Sequence, residues 1–351
     1  MVSGVAEFDY SGRLVFNGLR ETTVNAEDPE EVRSELLNDL PPFSRGSPNN
    51  KKRGFSDIDL ADIAESQNSA LGEDSPQVID DELLETANSV VDKQYTWESY
   101  AGTGDFEFVD EDGSRTSAWI RSTEEAYVYW MYPDVMLIQG SQGKVEPTER
   151  RINAALGEDV DVEDLSFDPD FFLWLLYRHS EPGEDIPGPI SVEDLSSSEV
   201  YGDLEQFGHR GRIEDSSNIA ESLPIIAALL QEMEFRMMEG FFGVDGASLK
   251  VQIKTEGRIH VKVAGEIDNA ETKLKRVLLA LRFVSELVSL YREWRDEMDR
   301  KEKFPPLTFF DDLAGTAARN NAEFSFDVDD LIEEYEDKRG EKADPADFDY
   351  L

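Results

Sequence analysis

Lys250, Gln252 and Lys254 alternate with Leu249, Val251 and Ile253, and Arg258, His260 and Lys262 alternate with Ile259, Val261 and Val263. Between the two runs, Thr255-Glu256-Gly257 has the length and the glycine of a three-residue hairpin loop. Closed that way, the segment pairs Lys250 with Lys262, Gln252 with His260, and Lys254 with Arg258, and puts all six aliphatic residues on the other face. Like charges directly opposite one another across strands repel. Acids were abundant: the chain has 77 Asp and Glu against 34 Lys and Arg, a formal net charge of −43. Residues 248–303 nevertheless carry 13 bases and 10 acids, and the remainder 21 and 67. A face that keeps its bases together in this background reads as a surface for an anion, and a polyanion would relieve the repulsion.

Nucleic acid is the first expectation, bound without catalysis. The contacts would be Lys250, Gln252, Lys254, Arg258, His260 and Lys262, helped by Arg210 and Arg212 of Gly208-His209-Arg210-Gly211-Arg212. The second is a structural or oligomeric interaction module whose basic face meets an acidic protein surface. The third is catalytic. Asp245 followed by Gln252-Ile253-Lys254 resembles the metal-binding Asp and the (Glu/Gln)-x-Lys strand of restriction-type nucleases. That resemblance implies Mg²⁺ on carboxylates with Lys254 stabilising the developing charge, and Glu232 or Glu239 on the preceding helix as a further carboxylate. No other cofactor is expected.

Other chemistries find little support. The chain has no cysteine, so thiolate sites and disulfides are excluded, and imidazole comes only from His179, His209 and His260. The glycine-containing loops at 102–105 and 140–144 lack the frames that cradle phosphates, and no G-x-S-x-G is present. Asp-x-Asp pairs at 57/59, 159/161 and 327/329 read as solvated faces in so acidic a chain. The basic triplet Lys51-Lys52-Arg53 reads as a solvated loop tip. Acid spread over nearly every segment makes a compact chain repel itself in dilute buffer, and molar salt screens that repulsion. The expectation is a cytoplasmic protein of a salt-in halophilic archaeon. It carries neither an apolar run of the ~20 residues that span a bilayer nor a basic-then-apolar N-terminus.

The elements that must position these residues read as α+β, with antiparallel hairpins packed against helices. Residues 1–40 read as a hairpin followed by a helix capped by Asp28-Pro29. Residues 41–98, polar and acidic, read as a linker or mobile insertion, and 99–180 as the β-rich part of the N-terminal domain. Within it, Asp112-Gly113 and Tyr132-Pro133-Asp134 mark turns, and Asp168-Pro169 caps an apolar helix. Residues 181–215 read as a connector. The C-terminal domain, 216–335, reads as a helix over 222–238, the basic hairpin, and a helix over 269–300. The last helix has an apolar stripe wide enough for a sheet plus a partner helix or a second subunit. Residues 336–351 read as a disordered tail.

Overall fold

The computed structural model describes residues 13–25, 40–70, 79–109, 112, 113, 115–157, 159–181, 183, 185–204, 208–216, 218–263, 270–320, 322 and 328–350. The expected helix after Asp28 and most of the expected hairpin over residues 5–16 lie outside them. Helices and antiparallel strands make an α+β protein that divides into two compact units. Residues 15–164 and 273–275 belong to the first, and 11–14, 165–272 and 276–351 to the second. The boundary therefore falls at 164/165, before the Asp168-capped helix, whereas the sequence placed it after residue 180.

The first unit contains β1 (Leu14–Val24), β2 (Arg53–Asp57), β3 (Val90–Val109), β4 (Arg115–Met131), β5 (Val135–Gln139) and β6 (Val160–Asp164). Its helices are α1 (Leu60–Ala70), α2 (Asp81–Ser89) and α3 (Gln142–Leu156). The strands run antiparallel in the order β2-β3-β4-β5-β1, with β6 paired along the second half of β1. Gly113 turns β3 into β4 at a positive φ of 81°, which favours glycine. Helix α3 lays Val145, Ile152 and Leu156 on strand residues that include Ala126, Val128, Trp130, Met136 and Ile138. Gly18 lets it approach: a β-carbon there would sit 2.7 Å from Val145 Cγ1.

The described residues of the expected insertion, 41–70 and 79–98, are built structure. Phe43 donates to the Phe55 carbonyl at 2.8 Å, and Phe55 to the Pro41 carbonyl at 2.9 Å. The Glu98 carboxylate, fully buried on β3, accepts from the amides of Gly46 (2.9 Å) and Lys52 (3.0 Å) and from Arg121 Nε (2.7 Å). Asp92 accepts from the amide of Leu60 (2.7 Å) and so caps α1 from a distant strand. Side-chain carboxylates and backbone bonds hold this segment, so apolar periodicity could not reveal it.

The second unit contains α4 (Pro169–Ser180), β7 (Ile190–Leu204), β8 (Gly208–Ile213), α5 (Leu223–Leu229), β9 (Glu234–Val244), β10 (Ala247–Lys254) and β11 (Arg258–Val263). The longer helices that follow are α6 (Ala270–Arg292), α7 (Leu307–Arg319) and α8 (Asp329–Arg339), with a single helical turn at Arg300–Lys303 between α6 and α7. The antiparallel strand order is β11-β10-β9-β7-β8. Asp168 caps α4 through the Asp170 amide at 2.9 Å, with Pro169 at the first helical position. Phe167, Phe171, Tyr291 and Trp294 pack ring against ring between α4 and the end of α6, and Phe283 meets Phe242 of β9 edge-on. Val277, Leu278, Leu281, Phe283, Val284, Leu287, Val288, Tyr291 and Trp294 are all buried within the chain. The wide stripe of α6 is thus consumed by the fold itself, and the helix does not offer it to a second subunit.

Three further expectations are corrected. Residues 181–215 are no connector, because most of them form β7 and β8; three bulges in the β7–β9 pairing break the apolar alternation that would have disclosed β7. The helix expected over 222–238 stops at Leu229. Glu232 adopts a positive φ of 58°, and Glu234–Val244 is strand, in keeping with its aromatic residues. Residues 340–350 are described and docked: the amides of Asp349 and Tyr350 donate to the Asp311 carboxylate at 3.0 and 2.8 Å. Among the described residues no helix is long and apolar enough to cross a membrane.

Candidate functional site

The basic hairpin forms in the expected register. Lys250 faces Lys262, Gln252 faces His260, and Lys254 faces Arg258. Gly257 closes the loop at a φ of 69°, its amide donating to the Lys254 carbonyl at 3.1 Å. The loop is tied down on both sides. Thr255 donates to the Arg236 carbonyl at 3.0 Å and accepts from the Phe167 amide at 2.8 Å. On the other face Leu249, Val251, Ile253, Ile259, Val261 and Val263 are buried. At roughly 1.5–3 kcal/mol for each fully buried side chain, this layer fixes the register. A slip by one residue would exchange it with the charged face.

The polar face is wider than the hairpin. Strand β9 contributes Glu239, opposite Gln252, and Phe241, opposite Lys250. Glu239 accepts from Lys250 Nζ (3.0 Å), Gln252 Nε2 (3.0 Å) and an Arg13 guanidinium nitrogen (3.1 Å). Burial pushes the Glu239 carboxyl up, but Lys250 and Arg13 outweigh it and hold it below its ordinary value, so it stays ionised. This carboxylate answers part of the like-charge repulsion. Glu256 answers another part, 3.6 Å from Arg258. Among the described residues no carboxylate pairs with Lys254 or Lys262, and Lys262 is exposed. On β10 and β11 the cations outnumber the carboxylates that pair with them, while at the margin of the face β7 places Asp194 opposite Phe241 and Glu193 accepts from the Ser248 hydroxyl at 2.6 Å.

His260 is not one of its charges. Burial, followed by the nearby Arg13, Lys254 and Arg258, lowers its pKa to about 4, with Glu239 acting the other way. At neutral pH it is an uncharged imidazole between cations. The sequence grouped it with the basic contacts because alternation shows which face a residue takes but not the field it meets there.

Arg210 and Arg212 do not join this face. They lie on β8, four strand positions from β11 and ~19 Å away by strand spacing. There Arg210 pairs with Glu199 at 2.6 Å and Arg212 with Glu214 at 2.5 Å. Nor are the three nuclease residues assembled. Asp245 sits in the β9–β10 turn and binds Arg282 of α6 at 3.2 Å, whereas Lys254 ends β10 ~27 Å further along the strand. Glu239, expected on a helix, reaches Gln252 from the adjacent strand, and Glu232 lines a separate small cavity with Asp170, Tyr335 and Lys338. Among the described residues no three His, Asp or Glu side chains converge as metal ligands.

Two residues of the site escaped the sequence reading. Arg13 is 226 positions from Glu239, and its only trace is a base leading into the alternating residues of β1. Glu239 was one acid among many. Fold and site together define an α+β protein with a cationic sheet face. No protein-family model matches the chain, and none of the curated proteins compared with it matches either.

Proposed function

We propose that the polar face of β9, β10 and β11 binds the phosphate backbone of a nucleic acid, without catalysis. The observation that supports this is the surplus of cations in opposed register. Lys250 faces Lys262 and Lys254 faces Arg258, and Glu239 and Glu256 neutralise only part of the set. A row of phosphates supplies the missing counter-charge and displaces condensed ions from the nucleic acid. The acidity of the rest of the chain fits the cytoplasm of a salt-in halophilic archaeon, where such contacts are weakened and hydrogen bonds must contribute as well.

The test is fluorescence anisotropy of labelled DNA and RNA across a KCl series, with the fold followed by circular dichroism. Three to five engaged cations predict a log–log salt slope between about −2.7 and −4.5 on a duplex. Lys254→Glu combined with Lys262→Glu abolishes binding and leaves the spectrum unchanged. Unaltered affinity in that double variant sinks the proposal. A change of mass in light scattering, without nucleic-acid binding, assigns the face to an acidic protein surface instead.

A further inference from the structure

The two cationic pairs on this face are separated by a pair that carries no positive charge. Along β10 and β11, Lys250 and Lys262 form one row, Gln252 and His260 the next, and Lys254 and Arg258 the third. Alternate residues of a strand lie ~6.7 Å apart, so the uncharged row runs midway between two rows of cations. Accepting the nucleic-acid reading above, we infer that the occupant is a single strand rather than a duplex. Its phosphates lie on the two cationic rows and a base sits on the Gln252–His260 row between them.

Three observations carry this. First, β10 lies inside the sheet, between β9 and β11, and the strands from β11 to β7 span ~14 Å. The major groove of a duplex is ~12 Å wide and admits a helix or a two-stranded ribbon. A face this broad meets a duplex only at its phosphates, and the central row then contacts nothing. Second, Gln252 is held for recognition. One of its N–H groups donates to Glu239 at 3.0 Å, and the amide has a second N–H and a carbonyl oxygen for a base edge. Third, half-buried Phe241 stands beside Lys250 on the same face, adding apolar surface of the kind on which unstacked bases settle. The neutral state of His260 agrees with this arrangement, since an uncharged imidazole can lie against a base without drawing a phosphate into the central row.

The experiment compares one labelled sequence as single strand and as duplex, in DNA and in RNA, against the intact chain and three variants. A single strand binds at least tenfold more tightly than its duplex, and the DNA and RNA arms tell which sugar the strand carries. His260→Ala and Gln252→Ala each weaken single-strand binding about fivefold or more, the scale of one lost base contact. Duplex binding moves less than twofold in both. Lys262→Ala, which removes a phosphate contact, weakens both forms alike. If His260→Ala does not fold, His260→Asn carries the same test. Equal affinity for strand and duplex, or a His260 variant that behaves like Lys262→Ala, overturns the inference and leaves the nucleic-acid reading standing. No binding to any oligonucleotide by the folded wild type overturns both.

Discussion

Glu98 in the first unit and Glu239 in the second are both buried carboxylates on antiparallel strands, and they differ in what surrounds them. Glu98 is met by two backbone amides and one arginine, so that one cation answers one carboxylate. Glu239 is met by one amide and two cations, while further cations stand beside it on the same face. The first arrangement balances and therefore holds a fold together. The second stays positive on β10 and β11 after its carboxylate is counted, and that leftover charge, inside a chain of −43, is what the proposed nucleic-acid partner would balance.

Removing each carboxylate in turn breaks the comparison most directly. Glu98→Ala leaves the amides of Gly46 and Lys52 and the Arg121 guanidinium without their acceptor. Uncompensated buried donors and charge are costly, so the thermal midpoint falls by several degrees, the largest effect expected here. Nucleic-acid binding by the protein that remains folded is unchanged. Acid should mimic the mutation. Burial raises the Glu98 pKa, but the two amides and Arg121 outweigh it and bring it below the ordinary value. A depressed carboxylate contributes stability above its unfolded pKa, and that stability is lost as pH falls through the folded one. Midpoints measured down a pH series should therefore drop less in Glu98→Gln than in wild type.

Glu239→Gln should act in the opposite sense. Its partners are about a third exposed, with Arg13 at 34% and Lys250 at 28%, so losing the two ion pairs costs only about 1 kcal/mol. Two cations are released toward the ligand. Anisotropy should show affinity rising about tenfold, and the salt slope steepening by up to ~1.8 on a duplex. If binding instead falls with stability, Glu239 is a structural carboxylate like Glu98 and the comparison collapses.

How much of this was legible in the sequence follows from what each region uses to fold. The β10–β11 hairpin could be read to the residue, because strict alternation, a loop glycine and six aliphatic residues all specify one register. The caps at Asp168 and the turns at Gly113 and Pro133 were legible for the same reason, being local chemistry. The 41–57 segment and β7 were not. The first is held by Glu98 from 46–52 positions away, and the second carries Ser196, Ser197 and Ser198 in buried positions that hydrophobicity does not mark. Arg13 and Glu239 meet only through tertiary structure. Alternation gave the hairpin's half of the site, and the long-range half had to wait for the fold.

A smaller effect sharpens the second region alone. The His260 pKa is lowered to about 4, by burial first and then by Arg13, Lys254 and Arg258. The unfolded chain therefore binds a proton near the ordinary histidine value, ~6.5, that the folded chain refuses until about pH 4. Stability rises with pH wherever the unfolded state holds more protons, so this contribution is complete above the unfolded pKa and is lost between there and about pH 4. His260→Asn removes it. Urea midpoints over that window should slope less in the variant than in wild type, and equal slopes would show that the imidazole is not held neutral.

The smallest expected effect concerns the bases outside the face. Arg210 and Arg212 are about half exposed and each already pairs with a neighbouring acid, so they resemble Glu98 in having a local partner and Lys262 in being accessible. Exposed pairs of this kind contribute roughly 0–1 kcal/mol. Arg210→Ala with Arg212→Ala should therefore leave stability nearly unchanged. If a cation's value to the ligand depends on its being in surplus, the double variant should also keep its affinity within twofold of wild type. A loss as large as that from Lys254→Glu with Lys262→Glu would mean that simple exposure, not surplus, selects the contacts. The interface would then run across the sheet from β11 to β8, and the distinction drawn between balanced and unbalanced charge would no longer locate it.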